Sequence, residues 1–420
     1  MSLTVRRIAF DDFRNYRSFE LDGLGPLTIL VGPNAVGKTN VVEGIQLLTA
    51  LSSFRHPTAE QLVRVGAPAA RLATDVTDGS RALEITLRVE EGAKRYALNG
   101  KPKRSPDLKG LVPSVAFTPD DLDLVKGAMS IRRAAMDSLG SQLSANHGVI
   151  KRDYERVVRY KNRLLKEEAS DDLVESINET LVTCGAQLVC YRAALFEKLA
   201  PALRARYDGL ASRGESLRAF YVPSWEPFDV QDPRCGPIAR DEARVALAAA
   251  LAARRHEERQ RRRALVGPHA DRVEFLIDGA DASLFGSQGQ QRSIVLAFKL
   301  AEAAVIEEVL HQKPVLLLDD VMSELDAMRR SALMDYMATD VQTFITTTNL
   351  AYFDDDLLGG ARIVELEKPR VTSETPGEDR MFHVKHSPID AQSARGEAEE
   401  RDGQPSDPAE QPSARIEGDS

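Results

Sequence analysis

The chain has 420 residues, 43% hydrophobic and 28% charged, so it is expected to form two or three globular domains whose cores need neither disulfides nor metal. Its three cysteines, Cys184, Cys190 and Cys235, form no Cys-x-x-Cys pair, which argues against a zinc or thioredoxin-type motif and fits a reducing cytoplasm. No apolar run is long enough to span a bilayer, and the opening MSLTVRRIAFDD reads as mature fold rather than a secretory signal. The net charge of −9 is uneven: residues 387–420 carry nine acids and three arginines, leaving 55 acids and 52 bases elsewhere. Contact with nucleic acid therefore has to use local basic patches.

The first 50 residues alternate as strands and then change period. Residues 3–10 and 17–21 are predicted strands joined by a polar turn over 11–16, and 27–31 (LTILV) is a short buried strand. A phosphate-binding pattern follows, and residues 40–50 continue as a helix with Val41, Ile45 and Leu48 on one face. Leu83, Ile85, Leu87 and Val89 mark a half-buried strand, Asn99-Gly100 a tight turn, and residues 112–117 another strand. From about Pro119 to Arg262 the chain reads mostly helical. One stripe, Leu173, Ile177, Leu181, Cys184, Leu188, Tyr191, Leu195 and Leu199, makes a single apolar face, with Ser170 or Asp171 as its cap. Strands return at 273–277, 314–318, 341–346 and 363–366, with a helix over 293–310. Beyond 372 periodicity is lost, and the acidic segment is expected to be disordered, with docking on a partner as the alternative. The domain boundaries read as 1–118 and 263–371 for an α/β body, 119–262 for a helical insertion and 372–420 for the tail.

The chemistry is carried by Gly32-Pro33-Asn34-Ala35-Val36-Gly37-Lys38-Thr39-Asn40, a phosphate-binding loop between a buried strand and a helix. Glycines let the backbone aim successive N–H groups at phosphate oxygens, and the following helix adds its positive dipole end. Lys38 is assigned to the β- and γ-phosphates of ATP, and the Thr39 hydroxyl to Mg²⁺. The apolar strand ending in Asp319-Asp320 supplies the second half. Asp319 is the candidate Mg²⁺ ligand, directly or through water, and Asp320 is placed to orient or deprotonate the attacking water.

Two further stretches narrow the class. Gly286-Ser287-Gln288-Gly289-Gln290-Gln291-Arg292, just before a long helix, resembles the signature of ABC-type ATPases, and Ser323-Glu-Leu-Asp326 resembles their D-loop. The resemblance implies that Ser287, Gly289 and Gln290 complete the site of a second subunit, so that ATP joins two heads. Arg55, 17 residues after Lys38, stands where SMC relatives place a phosphate-sensing arginine. It could stabilise transition-state charge or couple DNA to hydrolysis.

Over about residues 1–370 the chain resembles the RecF family of bacterial recombination mediators, short relatives of the SMC and Rad50 ATPases. The carriers are Phe13-Arg-Asn-Tyr16, the loop ending Gly37-Lys-Thr-Asn40, Ser53-Phe-Arg55, Phe117-Thr-Pro-Asp-Asp-Leu122, Arg132-Arg133 with Asp137, Tyr160-Lys-Asn-Arg-Leu-Leu165, Gly267-Pro-His269, Ser287-Gln-Gly-Gln-Gln-Arg292 and Leu317-Leu-Asp-Asp-Val-Met-Ser-Glu-Leu-Asp326. The resemblance implies an α/β fold: an ABC-type, SMC/Rad50-like ATPase head with a mixed sheet, an inserted helical arm and a disordered tail. It also implies an ATP-dependent homodimer in the bacterial cytoplasm that binds single-stranded and gapped or junction DNA. Slow, DNA-stimulated hydrolysis would act as its switch. Its expected partners are RecR, RecO and, indirectly, RecA, whose loading and SOS induction it would support.

Two departures stand out. The family has Gly where this chain has Ala35, which costs about 1 kcal/mol if that backbone is left-handed. It also has Arg where this chain has Ala270. The basic clusters Lys94-Arg95, Lys101 to Arg104, Arg132-Arg133, Lys151 to Lys166 and Arg254 to Arg263 are candidates for sequence-independent phosphate contacts. An SMC-like structural tether, for which only 281 residues separate Lys38 from Asp319, and another ABC-type ATPase without a RecA-loading role are the competing readings.

Overall fold

A computed structural model describes residues 2–211, 214–227 and 236–367, and the backbone of Val384–Lys385. The amino-terminal part builds an antiparallel sheet. Its strands are β1 (Thr4–Phe13) and β2 (Tyr16–Leu21), then, beyond other elements, β4 (Ala69–Thr77), β5 (Ala82–Glu90), β6 (Ala93–Leu98) and β7 (Lys101–Lys103), in the order β2-β1-β4-β5-β6-β7. Between β2 and β4 lie β3 (Leu27–Val31), helix α1 (Lys38–Thr49) and the one-turn α2 (Ala59–Leu62). After β7 come α3 (Ser105–Leu108) and β8 (Ser114–Phe117).

The insertion follows: α4 (Asp123–Lys126), α5 (Met129–Leu143), α6 (Ala145–Lys166), α7 (Asp171–Asp208), β9 (Leu217–Val222) and α8 (Arg240–Arg261). The chain then returns through β10 (Arg272–Ile277), β11 (Ala280–Asp281), α9 (Ala282–Phe285), α10 (Gln288–Leu310), β12 (Val315–Asp319), α11 (Ala327–Met337), β13 (Thr343–Thr347), α12 (Asp355–Gly360) and β14 (Arg362–Leu366). The second six-stranded sheet runs β15-β14-β3-β13-β12-β8, where β15 is Val384–Lys385. Its core strands β14, β3, β13, β12 and β8 are parallel, and β15 joins the edge antiparallel.

The parallel strands read as continuous apolar runs because both faces are covered. On one face α1 lies between the two sheets, and Val41, Ile45 and Leu48 meet Phe10, Phe13, Leu30 and Phe344 in one core. Gly44 permits this approach, since a Cβ there would sit 2.4 Å from the Phe10 ring. Gln342 ties the sheets together: it accepts from the Val5 amide at 2.7 Å and donates to the Val5 carbonyl at 2.7 Å. On the other face α10 packs with α5, α7 and β10 in a second core.

The structure departs from several expectations. β4, the partner of both β1 and β5, is not signalled by the sequence because its alanines blur the alternation. The turn after β1 shrinks to Arg14-Asn15, since Asp11 and Asp12 continue the strand. Within the stretch expected to be helical, β9 forms and pairs with β10, so one small sheet, β11-β10-β9, crosses the expected boundary at 262. The buried face of α7 follows the expected stripe in part: Leu181, Leu188, Leu195 and Leu199 are buried and Ile177, Cys184 and Tyr191 half-buried, but Leu173 is 42% exposed, and Val174, Asn178, Gly185 and Arg192 also point inward. Gly185 faces inward because α6 and α8 press there. A Cβ on it would lie 2.9 Å from Leu247 and 3.2 Å from Tyr154. The tail expected over 372–420 and Cys235 lie outside the described residues, apart from the Val384–Lys385 backbone.

Several residues proposed as phosphate contacts are interior. Arg132 is buried and donates to the carbonyls of Leu124 (2.8 Å), Val125 (2.6 Å) and Val273 (2.7 Å). Arg133 donates to the Asp271 carbonyl at 2.6 Å. Lys161 is fully buried against Glu258, 2.6 Å away. The 254–263 run, by contrast, stays at the surface, where Arg254 and Arg261 pair with Glu257, and Arg255 and Arg259 with Asp171. A sequence run cannot separate buried cations such as Arg132 and Lys161 from solvated charges, because an interior cation needs only one partner brought from elsewhere in the chain.

The Gly267-Pro-His269 segment is likewise part of the arm's base. His269 pairs with the Tyr154 hydroxyl at 2.6 Å, and buried Asp271 accepts from Arg192, Tyr221 and the Ser224 amide. Arg192 also forks onto Asp137 at 2.9 and 3.0 Å. Together these groups tie α5, α6, α7 and β9 to the start of β10. Among the described residues no helix is long and apolar enough to cross a membrane.

Candidate functional site

The phosphate loop leaves the carboxyl end of β3, in the middle of the parallel sheet between β13 and β14. Its two glycines serve different ends. Gly37 has φ 116°, a left-handed backbone, and a Cβ there would meet Asn15 and Tyr16 at 2.6–2.7 Å. Gly32 is not left-handed. It is small because β14 runs past it, and a Cβ would sit 2.4 Å from the Leu366 carbonyl oxygen. Ala35 does adopt a left-handed backbone, with φ 64°. Relief of that strain should make Ala35→Gly more stable by about 1 kcal/mol despite glycine's freer unfolded chain. A higher urea midpoint at unchanged slope is the expected result.

Lys38 opens α1 and is 6% exposed. Its ammonium donates to the carbonyls of Gly32 (2.6 Å) and Pro33 (3.1 Å). Burial pushes its pKa down, opposed by the charges of Asp320 and Asp319. Asp319 ends β12 at the neighbouring position, 4% exposed. It accepts from the Thr346 hydroxyl of β13 at 2.7 Å and from Thr39. Burial raises its pKa, while those two hydroxyls and nearby Arg55 work against the rise. Asp320 has a left-handed backbone, φ 54°, and its amide donates to the Thr346 hydroxyl at 2.9 Å. One of its carboxylate oxygens, Oδ1, is buried with no hydrogen-bond partner.

Lys38 and Asp320 open onto a cavity of about 250 Å³ lined also by Asn15, Asn34, Ala35, Gly37, Thr39, Asn40 and Arg55, with Asp319 behind Thr39. The donor set suits a hydrated Mg²⁺ on a polyphosphate: one hydroxyl, one carboxylate in contact with it and an unsatisfied second carboxylate oxygen. Among the described residues there is no all-protein cluster of His, Cys, Asp and Glu that could hold a metal unaided.

Arg55 is fixed rather than free. It donates to Asn40 Oδ1 at 2.8 Å and lies 3.7 Å from Glu43. Glu43, wholly buried, also receives both arms of Arg14 (2.8 and 2.9 Å) and the Ser53 hydroxyl (2.7 Å). Asn15 completes the brace, donating to the Val36 carbonyl at 3.2 Å and accepting from Asn40 at 2.7 Å. Motif reading assigned no role to Glu43, Asn15 or Thr346. The available signals were a carboxylate five residues past the loop lysine, and hydroxyl residues ending the strand beside Asp319.

The signature lies elsewhere on the head. Ser287 caps α10: its hydroxyl accepts from the Gln290 amide at 3.2 Å, and Gln290 Oε1 accepts from the Ser287 amide at 2.8 Å. Ser287 is exposed, and neither it nor Gly289 nor Gln290 lines the phosphate-loop cavity. Arg329 of α11, also missed by motif reading, holds the D-loop against the signature. It donates to the Gly289 carbonyl at 2.7 Å, to Ser293 Oγ at 2.8 Å and to Asp326.

Comparison with known proteins matches residues 4–358 to the family described as RecF/RecN/SMC N terminal domain. A protein of Synechococcus sp. (strain JA-3-3Ab), "DNA replication and repair protein RecF", is 38% identical over 86% of this chain and 95% of its own length. The protein of the same name from Moorella thermoacetica is 34% identical over 89% and 98%. Among solved structures, that of "the recombination mediator protein RecF-ATPrS in RecFOR pathway" superposes with TM-score 0.79 at 28% identity, covering 87% of this chain and 97% of that one. The corresponding RecF-ATP structure gives 0.76 at 28% identity, covering 87% and 95%.

Proposed function

The chain belongs to the RecF family of DNA replication and repair proteins, and from that premise we propose that it is an ATP-operated DNA-binding protein of recombinational repair. ATP closes its head onto a second copy, and slow hydrolysis releases it. The observation that carries this reading is a division of the nucleotide machinery. The loop, Lys38, Thr39 and Asp320 line one cavity and Asp319 is bonded to Thr39 behind it, while exposed Ser287 stands outside it.

In this reading the amides of residues 34–40 and the Lys38 ammonium hold the phosphates, and Asn15 and Asn40 keep the loop in register. Thr39 and Asp319 hold Mg²⁺, which when bound neutralises phosphate charge. Asp320 Oδ1, free of other partners, orients the attacking water and takes its proton. Arg55, aimed by Asn40 and Glu43, adds positive charge near the phosphates. Ser287, Gly289 and Gln290 complete the site of the partner copy from the start of α10. The RecFOR setting of the similar structures supports RecR as a partner, with RecO and RecA further along. Gapped or junction DNA, RecA loading and support of SOS induction belong to the same proposal.

The test measures mass by light scattering and affinity for a gapped duplex, each with and without Mg-ATP. Mass should double and DNA binding should tighten with Mg-ATP. Unchanged mass and unchanged affinity would discard the clamp reading.

A further inference from the structure

The surface cations fall into those that already have a counter-charge and those that do not. Arg95 lies within 3.8 Å of Glu90 and Glu91, and Arg104 donates to both oxygens of Asp107 at 3.1 and 3.2 Å. A different group gathers where α3 packs on α6. Lys109, the residue after α3, is half-buried, and among the described residues its ammonium has neither a hydrogen-bond acceptor nor a carboxylate partner. What it faces is positive. Burial, and then the charges of Lys151 and Arg152 on α6, push its pKa down to about 8. Among the described residues exposed Arg152 donates only to the Gly148 carbonyl one turn back, at 3.2 Å, and Lys151 has only Glu155, 3.4 Å away and itself in contact with water. The edge strand β7, just before α3, adds Lys101 and Lys103, both exposed and two residues apart, so they project from one face. Like charges that converge on a half-buried position destabilise the fold, and an anion placed among them relieves that repulsion.

We infer that Lys109, Lys151 and Arg152 form a binding site for a phosphate of the DNA backbone, continued along β7 by Lys101 and Lys103. The inference rests on the DNA-binding reading above and says which surface carries it. The bound nucleotide is not the anion in question. Lys109 lies ahead of the amino end of β8, whereas the phosphate loop leaves the carboxyl end of β3, and the two strands run parallel in one sheet. An acidic protein surface is disfavoured by what the strip lacks. None of the large apolar side chains exposed among the described residues lies on α3, α6 or β7. Protein interfaces draw most of their energy from apolar and aromatic anchors, whereas sequence-independent phosphate binding needs only cations on one surface. The arginine adds a planar fork that matches two phosphate oxygens, and the two lysines add point charges beside it.

The experiment titrates a gapped duplex with the full chain in Mg-ATP over a range of salt concentrations. It compares the wild type with Lys109→Gln/Lys151→Gln/Arg152→Gln. The control is Arg163→Gln/Lys198→Gln/Arg204→Gln, which removes the same charge from exposed residues already paired with carboxylates. Each phosphate contact steepens the fall of log K with log salt by roughly 0.9. The first variant should therefore show a slope shallower by about two to three and an affinity about a hundredfold weaker at about 0.1 M salt. Lys109→Gln alone should lower the slope by about one, and the control should stay within about threefold of wild type. Mass with Mg-ATP should match the wild type, and the urea midpoint should not fall. An unchanged slope refutes the site and hands the strip to an acidic protein partner, while the DNA-binding reading stands. Equal loss in the control, or lost mass doubling in the first variant, refutes the site as well, because the defect is then one of net charge or of assembly. A wild type that does not bind the duplex removes both.

Discussion

Lys38→Met should weaken ATP binding by roughly ten- to a hundredfold while leaving the fold as stable as before or more so. The first half follows from charge. An ammonium donating to phosphate makes a charge-assisted bond worth roughly 1.5–3 kcal/mol, and about 2.7 kcal/mol is a hundredfold in affinity. The second half follows from its surroundings. The ammonium is buried, its pKa is depressed by desolvation, and it donates only to two loop carbonyls. Methionine fills similar space without the desolvation cost. Calorimetric titration with Mg-ATP checks the first half and a urea midpoint the second. An affinity within threefold of wild type would show that Lys38 does not hold the phosphates. A collapse of stability would show that the lysine is mainly a structural strap.

Ser287→Arg should bind ATP as the wild type does but no longer double its mass. An arginine at the exposed start of α10 adds bulk and charge where the second head is to sit, on a surface that its own cavity does not include. The substitution also removes a helix cap, worth about 1 kcal/mol. Ser287→Ala, which loses the same cap without adding bulk, is the control for that effect and should still dimerise in large part. If Ser287→Arg doubles its mass normally, the signature does not face a second copy. If it loses ATP binding outright, the signature acts on its own chain's nucleotide.

The nucleotide half of the site was legible in the sequence because its parts are local. A loop of fixed spacing between a buried strand and a helix, and a strand ending in two aspartates, carry their meaning within a few residues. The left-handed backbone at Ala35 was legible as a conditional, since the position falls where a glycine is usual, and the structure places it at φ 64°. Two of the basic clusters misled in part, for the opposite reason. Arg132 and Lys161 look like solvated charges in a run, yet their partners, the Val273 carbonyl and Glu258, come from 141 and 97 residues away. The α7 stripe was right in period and held at Leu181, Leu188, Leu195 and Leu199, but at the start of the helix burial passes from Leu173 to Val174. Helical spacing fixes which residues share a face, but the exact edge of the buried face depended on where α6, α8 and α10 came to lie.

By itself, then, the sequence determined the family, the head-and-insertion layout in outline, and the residues we propose to hold phosphate and magnesium, all through short-range patterns with a direct chemical reading. Tertiary structure alone decided what those residues rest on. Glu43 gathers Arg14, Ser53 and Arg55 around one buried charge, Thr346 orients Asp319 from the next strand, Arg329 clamps the D-loop to the signature, and Leu284 and Phe285 are left facing water. The physical reason is common to them all. A buried carboxylate or an exposed aromatic is defined by its neighbours, and those neighbours are brought together by sheet order and helix packing rather than by proximity along the chain.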